Sequence, residues 1–297
     1  MRHTMDRARY RTLRHAVLPI VMASVAVTSH AQGTRDTVSG VHDTAQVVAP
    51  ARHLVHPRDA FVFGAFALAT AVALPNDRHI ADAFQRPGVQ RSTTLRRAAA
   101  VFRYTGQPGV LVGGVAAYAV GRATQRPALA RAGLRTTEAL VVTGTLTSIA
   151  KAVTGRARPP VAAGGDPYDF GLWRGREQGY ASMPSGHTSA AFAAATALSA
   201  EWRRSLPGSA HYAVPALYAG ATFVGLSRIY NNRHWASDVV AGAALGILGG
   251  QLVDRWGRAH PANALDRWLL PLSIAPGANG GVRVGFTLPV HGAISSH

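Results

Sequence analysis

Cysteine is absent from this 297-residue chain and lysine nearly so: 30 of its 31 basic residues are arginine, and the exception is Lys151. Without a thiol there is no disulfide framework, no thiolate metal site and no cysteine nucleophile. Acidic residues number only 14 and are scattered, which speaks against a carboxylate-rich two-metal centre. The sequence also lacks internal repeats, low-complexity tracts and any RNA- or DNA-binding motif, so its net charge of +17 does not read as nucleic-acid binding. What is present is a fairly apolar chain, 47% hydrophobic and 15% charged, long enough to bury a core and too apolar to be disordered. Its chemistry has to run on His, Ser, Lys, Arg and isolated acids.

Residues 1–31 read as an export signal. Arg2, Arg7, Arg9, Arg11 and Arg14 make a positive start, 16–28 an apolar stretch of 13 residues, and Ser29-His30-Ala31 a small-residue cleavage site before Gln32. Residues 32–57 are polar and aperiodic, a linker. Six apolar segments rich in Ala, Gly and Val follow, at 61–74, 109–120, 138–153, 188–200, 212–226 and 239–253. Between the first two, the Arg-rich stretch 80–104 has apolar positions at helical spacing and predicts a pair of amphipathic helices. Pro75, Pro108, Pro159, Pro184 and Pro207 stand at or beyond the segment edges, where helices start or stop.

The period changes only at the C-terminus. Leu270, Leu272 and Ile274, then Val282, Val284, Phe286 and Leu288, alternate on either side of Gly277-Ala278-Asn279-Gly280-Gly281, predicting a β-hairpin. The expected fold is therefore all-α, a helical bundle at 58–258, with a tail at 259–297 that carries a short hairpin. The apolar runs are 12 to 16 residues long, against about 20 for a spanning helix. Arg122, Arg126, Arg131 and Arg135 fall in one connection and the 80–104 arginines in the one before, so charge assigns no orientation. A spanning bundle and one lying against a membrane surface both stay open.

Three clusters carry the chemistry. In Lys151-Ala-Val-Thr-Gly-Arg156-Ala-Arg158-Pro159, Lys151 ends the third apolar segment and Arg158 follows seven residues on. Arg offers a planar fork for phosphate oxygens and Lys a compact point charge. Pro184-Ser185-Gly186-His187 opens the fourth segment, placing a capping Ser, a Gly that lets a ligand reach the backbone, and a transferable proton at an anion-favouring helix start. In the third cluster Ser227-Arg228 closes the fifth segment, and His234 and Asp238 open the sixth at helical-neighbour spacing. An Asp accepting from one ring nitrogen would leave the other as a nucleophile. Tyr168, Phe170, Trp173 and Tyr180, in the loop before Pro184, are candidates to cover such a site.

In that order, Lys-x6-Arg-Pro, Pro-Ser-Gly-His and Ser-Arg-x5-His-x3-Asp resemble the type 2 phosphatidic acid phosphatase (PAP2) and vanadium haloperoxidase superfamily. The resemblance runs from Lys151 to about Val253 and implies a six-core-helix PAP2-like bundle. By that resemblance His234 attacks phosphorus and forms a phosphohistidine, Asp238 orients it, and His187 protonates the leaving alcohol and later activates water. Lys151, Arg158 and Arg228 correspond to a cationic clamp, and Ser185 and Gly186 to donors for the phosphoryl oxygens. The implied protein is an exported, metal-independent phosphatase of the cell envelope acting on phosphate monoesters or diphosphates, of lipids or small esters. It needs no cofactor and binds vanadate as a phosphate analogue; a vanadium-dependent haloperoxidase is the alternative.

Overall fold

A computed structural model describes residues 54, 56–177, 179–260, 266, 269, 272–276 and 282–286; residues 1–31, expected to be an export signal, most of the expected linker at 32–57 and the expected turn at 277–281 lie outside the described residues. Helix α1 (Pro57–Ala73) starts where its sequence directs. Pro57 is pre-set for the first helical position, and the Asp59 carboxylate accepts the His56 N–H at 2.7 Å. A turn at Leu74–Asn76 carries the chain into α2 (Asp77–Phe84), and a single turn, α3 (Pro87–Gln90), follows. The Ser92 hydroxyl accepts the Leu95 N–H and so caps α4 (Thr93–Tyr104). Beyond a kink at Gln107 come α5 (Val110–Ala123), α6 (Pro127–Thr154), α7 (Gly186–Ser205), α8 (Ala210–Tyr230) and α9 (Ala236–Ala259).

The core is built from small side chains. Ala190, Ala191, Ala193, Ala194, Ala195 and Ala197 of α7 are all buried, which lets neighbouring backbones come close. Gly242, Gly246 and Gly250 line one face of α9, against the Ser185 carbonyl, the Ser189 carbonyl and Thr196. Gly133 of α6 meets the Tyr118 backbone of α5 in the same way.

The helices outrun the apolar segments. The third segment is only the second half of α6, a 28-residue helix, so Arg131 and Arg135 lie within it and not in a connection. Arg135 is buried there because its fork has partners: Glu138 at 2.7 Å and Asp266 at 2.5 Å. Paired charge lets a helix continue where hydropathy alone ends it. Among the described residues, two stretches are long and apolar enough to cross a membrane, Pro57–Phe84 and Ala236–Ala259. On the first, Phe61 is 81% exposed and Leu68 67%. Near the C-terminus, β1 (Leu272–Pro276) and β2 (Val282–Phe286) pair antiparallel, with Leu272 opposite Phe286 and Pro276 opposite Val282. The Tyr118 hydroxyl donates to the Leu269 carbonyl at 2.5 Å.

Gly246→Ala puts a methyl group inside van der Waals contact of the Ser189 carbonyl and Phe192. The variant is expected to lose roughly 1–3 kcal/mol of stability, because α7 and α9 must separate. A thermal unfolding midpoint equal to the parent's would contradict this packing.

Candidate active site

The three clusters meet at one cavity of about 680 Å³, lined by Lys151, Arg158, Gly186, His187, Arg228 and His234 together with Arg103, Tyr104, Gln107, Pro108, Asn231 and Arg233. Each cation arrives by its own route. Lys151 sits in the last turn of α6, and its ammonium donates to the Ala181 carbonyl at 2.6 Å. Helix α6 then stops at Gly155, which adopts the left-handed conformation (φ 49°) against the Gly171 carbonyl, where no Cβ fits. This turn brings Arg158 back to the cavity. Arg228 comes from the last turn of α8.

The cavity is set up for an anion. Among the described residues, Nε and Nη1 of Arg228 and Nε of Arg158 are buried without a hydrogen-bond partner. Gly186 and His187 open α7, where backbone N–H groups lack partners within the helix. A Cβ on Gly186 would lie 3.7 Å from Lys151 Cε, so the first and second clusters are in contact. Burial, with Arg158 adding repulsion, brings Lys151 down to about 8.

Ser185 differs from its expected place. It occupies the N-cap position, but its hydroxyl accepts from Thr188 Oγ1 at 2.9 Å instead of from a backbone N–H of the first turn. Ser185 is fully buried, is not among the residues lining the cavity, and commits its backbone N–H to the Asp238 carbonyl at 2.9 Å. That bond ties the second cluster to the third. Gly186 and His187 are left as the lining members of the motif.

His234 lies just before α9, with Asp238 in that helix's first turn. Its Nδ1 is 2.8 Å from the Ser182 carbonyl, which can only accept. Nδ1 therefore carries the proton, and Nε2 is the nitrogen with the free lone pair. Asp238 Oδ2 is 3.7 Å from Nδ1, too far for a hydrogen bond. The expected Asp–His contact is thus replaced by an indirect one. Asp238 accepts from the Ser182 hydroxyl at 2.5 Å and from the Trp235 N–H at 2.9 Å, and Ser182 presents the carbonyl. The geometric reason is that the helix begins at Ala236, so residues 234 and 238 are not one regular turn apart.

Burial lowers both imidazoles to about 4: His234 against some support from Asp238, and His187 with further repulsion from Arg228, His234, Lys151 and Arg103. Both rings are therefore neutral at pH 7 in the cavity's own field. An anion entering the cavity offsets the neighbouring positive charge and raises His187 toward protonation.

Several contributors escaped the sequence reading. Arg103, Tyr104, Gln107 and Pro108 form a wall from α4 and the following kink. The aromatic residues proposed as a cover are elsewhere: Phe170 stacks on Arg156, Tyr180 on Arg174, Trp173 borders a second cavity, and Tyr168 is exposed. The loop 155–185 is pinned by backbone bonds such as Arg158 N–H to Gly179 and Ala157 N–H to Asp169, which direct these rings away from the cavity. Among the described residues, no three His, Asp or Glu side chains are placed to hold a metal ion.

The PAP2 superfamily model matches residues 132–261, which contain all three clusters. A lipid A 1-phosphatase from Porphyromonas gingivalis is 52% identical over 85 residues, a match spanning 29% of this chain and 18% of that protein's length. The crystal structure of a transmembrane PAP2-type phosphatidylglycerolphosphate phosphatase from Bacillus subtilis superposes with a TM-score of 0.54, at 21% identity. That superposition covers 70% of this chain and 99% of the other, and it establishes a shared fold.

Because His187 and His234 are held down by burial, stability is expected to be full above about pH 6.5 and to fall as the pH drops toward 4. The unfolded chain takes up these protons first, so acid favours unfolding. Unfolding midpoints measured across this range should decline, and His187→Gln should flatten part of the slope. A level midpoint would contradict the assigned burial.

Proposed function

We propose that this chain, whose residues 132–261 match the PAP2 superfamily model, is a phosphatase that removes phosphate from lipid monoesters or diphosphates through a phosphohistidine on His234. One observation carries the reading. The imidazole with its proton locked on the Ser182 carbonyl lines the same cavity as Lys151, Arg158 and Arg228, so its bare nitrogen and an anion clamp share one space.

In the proposed reaction Nε2 of His234 attacks phosphorus. The bond from phosphorus to the leaving oxygen breaks, and that oxygen takes a proton from His187. Water then attacks the phosphohistidine and gives a proton to His187; the P–N bond breaks, releasing inorganic phosphate and restoring His234. Charge spreads over the equatorial oxygens in the transition state, where the three cations and the N–H groups of Gly186 and His187 stabilise it. These cations do the work a divalent metal does in other phosphoryl-transfer sites. The substrate dianion itself supplies the field that lets His187 hold its proton. Asp238 acts on His234 through Ser182, and Ser185 acts through the backbone that joins it to Asp238.

The domain plan that goes with this activity is a leader at 1–31, a linker at 32–57, a catalytic bundle at 58–258 built on six core helices, and a tail at 259–297 with a docked hairpin. Export would place the site in the cell envelope, facing the periplasm. A lipid substrate and a membrane setting are supported by the apolar stretches Pro57–Phe84 and Ala236–Ala259 and by exposed Phe61, Leu68, Val112, Val141 and Tyr212.

Purified His234→Ala is expected to lose at least about a thousandfold in kcat on phosphatidic acid. Arg228→Ala should cost roughly 3–4 kcal/mol of barrier. Orthovanadate should compete with substrate. Parent-level hydrolysis by His234→Ala would overturn the nucleophile, and bromide-dependent peroxide oxidation by the vanadate-loaded protein would overturn the phosphatase reading in favour of a haloperoxidase.

A further inference from the structure

Directly behind His234 lies a cluster of charge that the reaction above does not use. Arg156 is completely buried, yet each of its five N–H groups has an acceptor. Nε and Nη2 donate to the Pro167 carbonyl at 2.9 and 2.7 Å, Nη1 to Ser237 Oγ at 2.7 Å and Asp238 Oδ1 at 2.6 Å, and Nη2 also to Asp77 Oδ2 at 2.7 Å. Phe170 and Trp235 lie against the guanidinium, with ring centroids at 4.9 and 5.7 Å. Asp77, also fully buried, accepts the Ser237 N–H at 2.8 Å and the Ser237 hydroxyl at 2.5 Å. Burial works against its charge, but the Arg156 guanidinium and the Ser237 N–H can only donate to it, and these bonds favour the carboxylate.

We propose that Asp77 and Arg156 are positioning residues for His234, forming a buried relay that fixes the ring's tautomer and adds negative charge behind it. The relay rests on His234 being the nucleophile. Its geometric path is short. Arg156 holds Asp238 through its side chain and Ser182 through its backbone carbonyl, which accepts the Ser182 N–H at 3.1 Å. Asp238 grips the Ser182 hydroxyl, and the Ser182 carbonyl then holds Nδ1 of His234. Ser182 is thus clamped at both ends by groups that Arg156 organises.

The charge argument is independent of that path. Two carboxylates and one guanidinium leave a net charge of −1 behind the imidazole. Attack on phosphorus makes the ring cationic, and a buried negative charge favours that state. On its other sides His234 faces Lys151 of α6, His187 of α7, Arg228 of α8 and the loop residues Arg158 and Arg233, so the relay is its counterweight. Asp77 begins α2, outside the residues matched by the family model, so the N-terminal helices reach the reacting group through it.

Asp77→Asn keeps the shape and removes the charge. Its kcat is expected to fall on the order of ten- to a hundredfold, the range seen when a partner behind a metal-bound imidazole is lost. KM should stay within about twofold. The acid limb of kcat/KM, which follows protonation of His234, should move to lower pH because the ring becomes less basic. A folded variant with the parent's kcat and limb would overturn the proposal, and so would a lowered kcat with the limb unmoved, which assigns Asp77 to the fold alone. If Asp77→Asn does not fold, Ser237→Ala removes one bond from each of Asp77 and Arg156; a lowered kcat at constant KM supports the relay and parent kinetics reject it. His234→Ala is run alongside: its retaining full activity would defeat the nucleophile assignment instead.

Discussion

Lys151, Arg158 and Arg228 approach one cavity from three separate segments, and like charges brought together inside a protein repel more strongly than they do in water. Everything around the site is arranged to hold them there. Lys151 is fixed at the end of α6 by the Ala181 carbonyl, Arg158 by a left-handed turn at Gly155 and a backbone bond to Gly179, and Arg228 by the last turn of α8. Among the described residues, none of the three has a carboxylate at ion-pair distance. Asp238 offsets part of their repulsion from behind, and an anion in the cavity would offset the rest, so the site's preference for negative charge follows from how the backbone is anchored.

The negative charge of the site stands one layer back. Asp77 and Asp238 are saturated by Arg156, Ser182, Ser237 and backbone N–H groups, and neither is among the residues lining the cavity. His234 sits at the boundary between the two layers. Its Nδ1 is tied to the interior by the Ser182 carbonyl, and the residue itself lines the cavity. The neutral ring is thus placed between the cations of the cavity and the carboxylates behind it.

The cavity's lining is also divided along the chain. Lys151, Arg158, Arg228 and both histidines fall within residues 132–261, while Arg103, Tyr104, Gln107 and Pro108 come from α4 and the kink after it. Gly106 in that kink is buried close to His187, since a Cβ there would lie 3.5 Å from the imidazole. The N-terminal helices therefore supply both one wall of the cavity and, through Asp77, part of the support beneath it.

Helical periodicity, small residues at helix contacts, proline at helix edges and the order of three short motifs are all local properties, and they were sufficient to place a helical bundle and to single out Lys151, Arg158, Gly186, His187, Arg228 and His234. Local pattern could not show that α6 runs on through Arg131 and Arg135, because the partners that make Arg135 tolerable, Glu138 and Asp266, include one 131 residues away. Nor could it distinguish Arg156 from twenty-nine other arginines, or reveal that a main-chain carbonyl at Ser182 holds the histidine ring. A carbonyl carries no residue identity, and the bonds from Arg156 to Asp77 and Asp238 join residues 79 and 82 positions apart. Which buried charges meet is decided only when the helices close, since an unpaired charge is excluded from the interior and a paired one is defined by its partner.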